Sequence, residues 1–350
     1  MKLLARWTVN KQMREVFQLK IRGAGPLCLF LWALGFGHAI ASRAVAQDGG
    51  WGGPRIPAKI AQSRQIHIGG ATLQVDFAEG HLDLPLDAIL AHVQAAASAV
   101  TAYYGRFPVS RARILIVPIA GRGGEPHGTT WGDMAGFPAF TRIGLGEHTT
   151  AADLADDWVM THEMVHYAFP SLPDDQSWME EGQATYIEPV ARVMTGELTA
   201  QKIWGDMFRD MRKGEPQAGD EGLDHTHTWA RTYWGGALFC LVADVEIRHA
   251  TGNRKGLRDA LRAVVAAGGT IDHDWPLERA LEIGDRATGT HVLTVMYAAW
   301  RNTAVTVDLT NLWSELGIRS TTAGGVEFVA DAPLAKVREA IAGEPETAKR

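Results

Sequence analysis

His162-Glu163-Met164-Val165-His166, followed twelve residues later by Trp178-Met179-Glu180-Glu181-Gly182, decides how this 350-residue chain reads. On a helix of about 3.6 residues per turn, imidazoles four positions apart lie one above the other and can reach a single cation. Glu163 then stands about 100° round the helix, where it can hold a water without ligating the metal. Trp158, Val159, Met164 and Val165 make the segment apolar, so both imidazoles are expected to be partly buried. Buried unpaired imidazoles are costly, and metal ligation satisfies them. Two His and one carboxylate make the ligand set of a catalytic zinc, which keeps its fourth position open. Such an ion lowers the pKa of water to about 7 and polarises a carbonyl. Glu163 is then the group that takes the proton and hands it to the leaving amine. The constellation implies a zinc hydrolase.

The third ligand needs a second helix. After Phe169, the run Pro170-Ser171-Leu172-Pro173-Asp174-Asp175 ends the first helix and forms a short loop. A helix from about Gln176 to Glu188 folds back, and Pro189 is expected to end or kink it. Glu180, Glu181 and Glu188 are all candidates on the residues alone. Glu180 and Glu181, being adjacent, point about 100° apart and do not face the ion equally.

Trp178-Met179-Glu180-Glu181-Gly182-Gln183-Ala184-Thr185-Tyr186 resembles the third-ligand helix of the gluzincins, the peptidase MA-like group of zinc metallopeptidases. The resemblance puts the ligand on Glu181 and leaves Glu180 as a solvated carboxylate or one standing behind the ligands. Tyr233-Trp234-Gly235-Gly236-Ala237-Leu238 is similar to the Tyr-x-Lys-Gly-Ala of aminopeptidase-type gluzincins, with Gly235 in place of Lys. The resemblance implies that the Tyr233 hydroxyl donates to the oxyanion of a tetrahedral intermediate. Asp224-His225-Thr226-His227 reads as a polar loop beside the cleft, with His227 the alternative oxyanion donor. The Gly-x-Met-Glu-Asn string that grips a free α-amine in the related aminopeptidases is absent. Gly124-Glu125 is only a distant echo, too far upstream.

Together these features imply an α+β, zincin-like (thermolysin-like) fold with a mixed sheet, metal-binding helices and a mostly helical C-terminal lobe. One zinc ion per chain, held by His162, His166 and Glu181, would act on a polypeptide substrate with Glu163 as general base. Two alternatives stay open: a zinc hydrolase of a non-peptide amide or ester, and a non-catalytic zinc-stabilised binding protein of the cell envelope.

Working outward, Gln65 to Phe77 alternates like a strand or hairpin. Pro85 to Tyr104 has the apolar spacing of a helix with proline at its first position, and Arg113 to Ile119 is a short strand. Gly121 to Gly136 reads as a glycine-rich cleft rim without the ending of a phosphate-binding loop. Phe137 to Leu145 reads as the strand before the metal helix, with Ala139 to Ile143 as the segment lining the cleft. Helices are expected over Tyr233–Ala250, Lys255–Ala267, Trp275–Ile283, Gly289–Arg301, Leu309–Gly317 and Pro333–Ala342, with a strand at Gly325–Ala330. This organisation divides the chain into a catalytic domain over 61–250 and a helical lobe over 251–350.

The first 46 residues differ in kind. Arg14, Lys20 and Arg22 precede an apolar run from Pro26 to Phe36, and Ala44-Val45-Ala46 offers a cleavage site, which together read as a signal peptide. The run is shorter than the roughly 20 residues of a membrane span, so an uncleaved anchor is the lesser reading. The length before Met13 suggests translation from Met13, and residues 47–60 form a Gly- and Pro-rich lead-in. Cleavage leaves 27 basic against 39 acidic residues, a net −12. That balance argues against nucleic acid and against a polybasic membrane contact. Cys240 alone remains, so no intrachain disulfide forms in the expected periplasmic or secreted location.

Overall fold

Two glycines in the left-handed region, Gly69 (φ 56°) and Gly70 (φ 85°), make the tight turn between β1 (Ile60–Ile68) and β2 (Ala71–Ala78). Positive φ at both central positions matches the right-handed twist of a hairpin. The computed structural model describes residues 59–342 except Ala323. The expected signal peptide, its expected cleavage site and the start of the lead-in lie outside these residues.

Helix α1 (Leu86–Tyr104) follows Pro85 and closes on Gly105 in the left-handed conformation. It buries Ile89, Val93, Ala96, Ala97 and Val100. Strand β3 (Arg111–Ile119), β4 (His127–Met134) and β5 (Phe137–Gly146) complete a five-stranded sheet of order β1-β2-β3-β5-β4. Strands β2, β3 and β5 run parallel; the outer pairs β1/β2 and β4/β5 are antiparallel.

This corrects the reading of the cleft. Strand β5 is paired on both sides, so it has no open edge, and the supposed glycine-rich rim contains the edge strand β4. Glycines concealed it because they pack the face turned to the helices. A Cβ on Gly128 would overlap Glu163, and one on Gly132 would overlap the Ile271 carbonyl.

A short helix α2 (Ala151–Asp156), capped by Thr150 and Asp153, leads to the metal helix α3 (Val159–Val165), all of whose residues are buried. The chain tightens into a 3₁₀ turn over His166–Ala168. Helix α4 (Ser177–Thr195) runs through Pro189 to Gly196 without ending there. Proline removes one backbone hydrogen bond, but tertiary contacts grip both sides of it. Tyr186 donates to Asp244 at 3.0 Å, and Arg192 donates to the carbonyls of Asp157 (2.6 Å) and Ala155 (2.8 Å).

The rest is mainly helical: α5 (Ala200–Asp210), a π turn over Arg231–Gly235 leading into α6 (Gly236–Ala250), α7 (Leu257–Ala266), α8 (Leu277–Thr288), α9 (Val292–Trp300) and α10 (Leu309–Leu316). A small hairpin of β6 (Ile318–Ser320) and β7 (Val326–Phe328) precedes α11 (Ala335–Ala342). The described residues from 59 to 342 belong to one compact unit. Within it, Arg262 of α7 donates to the carbonyls of Tyr103 (2.7 Å) and Ala102 (3.0 Å) at the end of α1. No described helix is long and apolar enough to cross a membrane.

Candidate metal centre

Helices α3 and α4 pack side by side and bring His162, His166 and Glu181 to one point. His162 Nε2 lies 3.0 Å and His166 Nε2 3.6 Å from the same oxygen, Oε2 of Glu181. Ligands at about 2.0–2.1 Å around a tetrahedral zinc are separated by about 3.3 Å. The spacing therefore fits the ion that the donor types imply. Burial works against charge on His166, but the Glu181 carboxylate outweighs it and lifts the imidazole to about 9. Burial opposes charge on Glu181 too, yet the two imidazoles hold its carboxyl well below the usual range. Glu181 and the two imidazoles thus favour each other's charged forms.

Glu181 is aimed by its own helix. Trp178, one turn earlier, is fully buried, and its indole N–H donates to Asp224 Oδ1 at 2.8 Å. Tyr297 donates to the other Asp224 oxygen at 2.8 Å and accepts from Gln176 at 2.7 Å. The start of α4 is thus fastened to the loop before the π turn and to α9. The glycine after Glu181 has its own reason. A Cβ on Gly182 would lie 2.2 Å from Cα of Gly236, and one on Gly236 would lie 2.0 Å from the Trp178 carbonyl. Backbones of α4 and α6 touch at this crossing, and the contact carries the π turn to the His162, His166 and Glu181 cluster. Tyr233, in that turn, stacks on His162 with ring centres 5.9 Å apart and planes 15° apart. π-Helical turns are rare and concentrate at functional sites.

Glu163 points from α3 toward β4. Its Oε2 accepts from Thr130 Oγ1 at 2.6 Å; Thr130 lies 2.8 Å from Thr141 Oγ1, which lies 2.6 Å from the Tyr167 hydroxyl. Each hydroxyl has one proton to give. With Glu163 as a carboxylate, the chain orders itself as Tyr167 to Thr141 to Thr130 to Glu163. Burial raises the Glu163 pKa against the pull of His166 and His162.

The other sequence candidates fall elsewhere. Glu180 Oε1 accepts from the Leu172 amide at 3.3 Å, and burial pushes its carboxyl up to about 8. Glu188 pairs with Arg192 at 2.9 Å. His225 lies 2.8 Å from Asn302 Oδ1, and His227 is exposed. Residue reading missed Thr130, Thr141 and Tyr167, which form the hydroxyl chain to Glu163, Asp224, which anchors Trp178 at the start of α4, and Arg192, which ties α4 to the carbonyls of Ala155 and Asp157. Only the Thr130/Glu163 register had a trace in sequence, the alternation Gly128-Thr129-Thr130-Trp131-Gly132 of a half-packed strand.

No family model and no curated protein matches this chain. Solved structures do. An aminopeptidase N family protein from Idiomarina loihiensis superposes with a TM-score of 0.55 at 13% identity, over 73% of this chain and 49% of its own. An M1 zinc metallopeptidase from Deinococcus radiodurans gives a TM-score of 0.46 at 17% identity, over 72% of this chain and 53% of its own. The chain spans about half the length of each. At 13% identity the first likeness is one of fold, and it agrees with the zincin-like α+β architecture.

Proposed function

We propose that this chain is a zinc-dependent peptidase of gluzincin type that acts outside the cytoplasm, in the periplasm or after secretion. The observation that carries the reading is the convergence of His162, His166 and Glu181 on one point beside a carboxylate held by Thr130. His162, His166 and Glu181 would hold one zinc ion, which when bound would supply Lewis acidity toward a carbonyl and a water. Glu163 is the general base. Thr130 fixes its Oε2, leaving Oε1 to accept the proton of the water and deliver it to the leaving amine. Burial raises its pKa, which strengthens it as an acceptor for the proton of the water.

Tyr233 donates to the developing oxyanion, its ring aligned by stacking between His162 and Trp229. Strand β4, at the sheet edge, takes the substrate backbone as an added strand. Trp158 (50% exposed) and Trp229 (56% exposed) flank this cluster through their ring contacts with His162 and Tyr233. They favour apolar side chains next to the scissile bond. The signal peptide read from the first 46 residues supports the location.

A proteome-derived peptide library, with cleavage products mapped by mass spectrometry beside amidase and esterase substrates, tests the substrate class. New peptide termini are expected. Hydrolysis confined to the esters or small amides would replace this reading with the broader zinc hydrolase. Glu163→Gln should keep its zinc and lose turnover by about 10²-fold or more; an unchanged rate would contradict the mechanism.

A further inference from the structure

A second cluster of donors lies at the opposite end of α3 from His166. His92 projects from α1, Glu125 from the loop between β3 and β4, and Asp157 from the residue pair that joins α2 to α3. One ligand atom of each lies within 4.8 Å of the others. His92 Nε2 is 3.2 Å from Glu125 Oε1, yet the two are not aligned as a hydrogen bond. The Glu125 side chain is 1% exposed, and neither of its oxygens has a hydrogen-bond partner among the described residues. An acceptor-only group buried in this way carries a full desolvation cost. Asp157 is partly satisfied: Oδ1 accepts from the Val159 amide at 2.6 Å and Oδ2 from the Glu125 amide at 3.3 Å. Its carboxyl is nonetheless pushed up to about 7 by burial and by the Glu125 carboxylate. The nearby Arg192 does not answer these charges. Its guanidinium is spent on Glu188, Glu197 and the carbonyls of Asp157 and Ala155.

We propose that His92, Glu125 and Asp157 form a second divalent-metal site, separate from His162, His166 and Glu181. The 3.2 Å separation without alignment is what two ligands of one ion show, since their lone pairs converge on a third point. Two carboxylates and a neutral imidazole balance a dication. The imidazole selects a first-row ion such as zinc over calcium, which takes six to eight oxygens. The ion is structural in effect: it clamps the N-terminal end of the metal helix to α1 and to the segment that enters the edge strand β4. The proposal stands independently of the peptidase reading.

Zinc is the probe, counted by native mass spectrometry and by elemental analysis after dialysis into metal-free buffer. The wild-type chain should retain two ions, Glu125→Gln one, and a His162→Ala/His166→Ala double variant one. Two ions in Glu125→Gln, or none in the double variant, would overturn the second site. One ion in the wild type that Glu125→Gln loses would support this site while contradicting the first; one ion that Glu125→Gln keeps would overturn this one. If Glu125→Gln does not fold, His92→Gln gives the same reading at a more exposed position. The double variant decides if neither folds.

Discussion

Thr130 shows what a single hydroxyl can decide at this site. It donates a hydrogen bond to the Glu163 carboxylate, and the Thr141 and Tyr167 hydroxyls continue the chain behind it. A hydrogen bond to a charged group contributes about 1.5–3 kcal/mol. Thr130→Val keeps the shape and removes the donor, so kcat should fall about tenfold or more while zinc content and KM hold. Thr130→Ser should restore most of the rate. Steady-state kinetics checks this, and equal kcat values for the Val variant and the wild type would remove Thr130 from the mechanism. His162, Glu163 and His166 were legible in sequence because helical spacing is a local property. Thr130 was not, since its partner lies 33 residues away and only strand register brings them together.

Elements were legible where one periodicity prevailed and illegible where packing overrode it. The hairpin of β1 and β2, α1, and the run from α6 to α9 follow their apolar spacing and their glycine or proline boundaries. Strand β4 was read as a loop because Gly128 and Gly132 are weak strand formers in isolation, although both are required by the close approach of Glu163 and Ile271. Pro189 was expected to end or kink the helix; α4 continues past it, with Tyr186 and Arg192 gripped by tertiary contacts on its flanks. The same packing logic predicts a penalty at the α4/α6 crossing. Gly182→Ala pushes a methyl into backbone that has no side chain to swing away, and should cost about 2 kcal/mol or more of stability. Gly205→Ala, a helical glycine whose nearest neighbour would be 3.7 Å away, should be neutral or slightly stabilising. Thermal denaturation of the two variants side by side checks this; equal melting temperatures would mean that the crossing is not tight.

At the scale of the molecule, sequence reading reached the fold class and the three chain segments that build the centre. The order of the strands escaped it, because pairing between distant segments leaves no local mark. The buried charges distributed through the fold make its stability depend on pH. Burial raises the Glu215 carboxyl to about 7, although the Val307 amide donates to both of its oxygens at 3.2 Å. A folded pKa above the unfolded value means that the native state holds the proton more tightly. Its stabilising contribution is full below about pH 4 and is lost as pH rises through 7. Glu215 is only partly buried, so the effect is about 1 kcal/mol after solvent screening. Glu215→Gln should flatten the decline in unfolding free energy between pH 5 and 8; identical profiles for variant and wild type would refute the assignment.

The proposed chemistry turns on a cation at the meeting point of α3 and α4. A crystal of the zinc-loaded wild-type protein, measured at the zinc absorption edge, tests that point directly. The account predicts an anomalous peak about 2.0–2.2 Å from His162 Nε2, His166 Nε2 and a Glu181 oxygen, with Glu180 turned toward Leu172. No peak there, or a peak bound by Glu180 with Glu181 directed away, would contradict it.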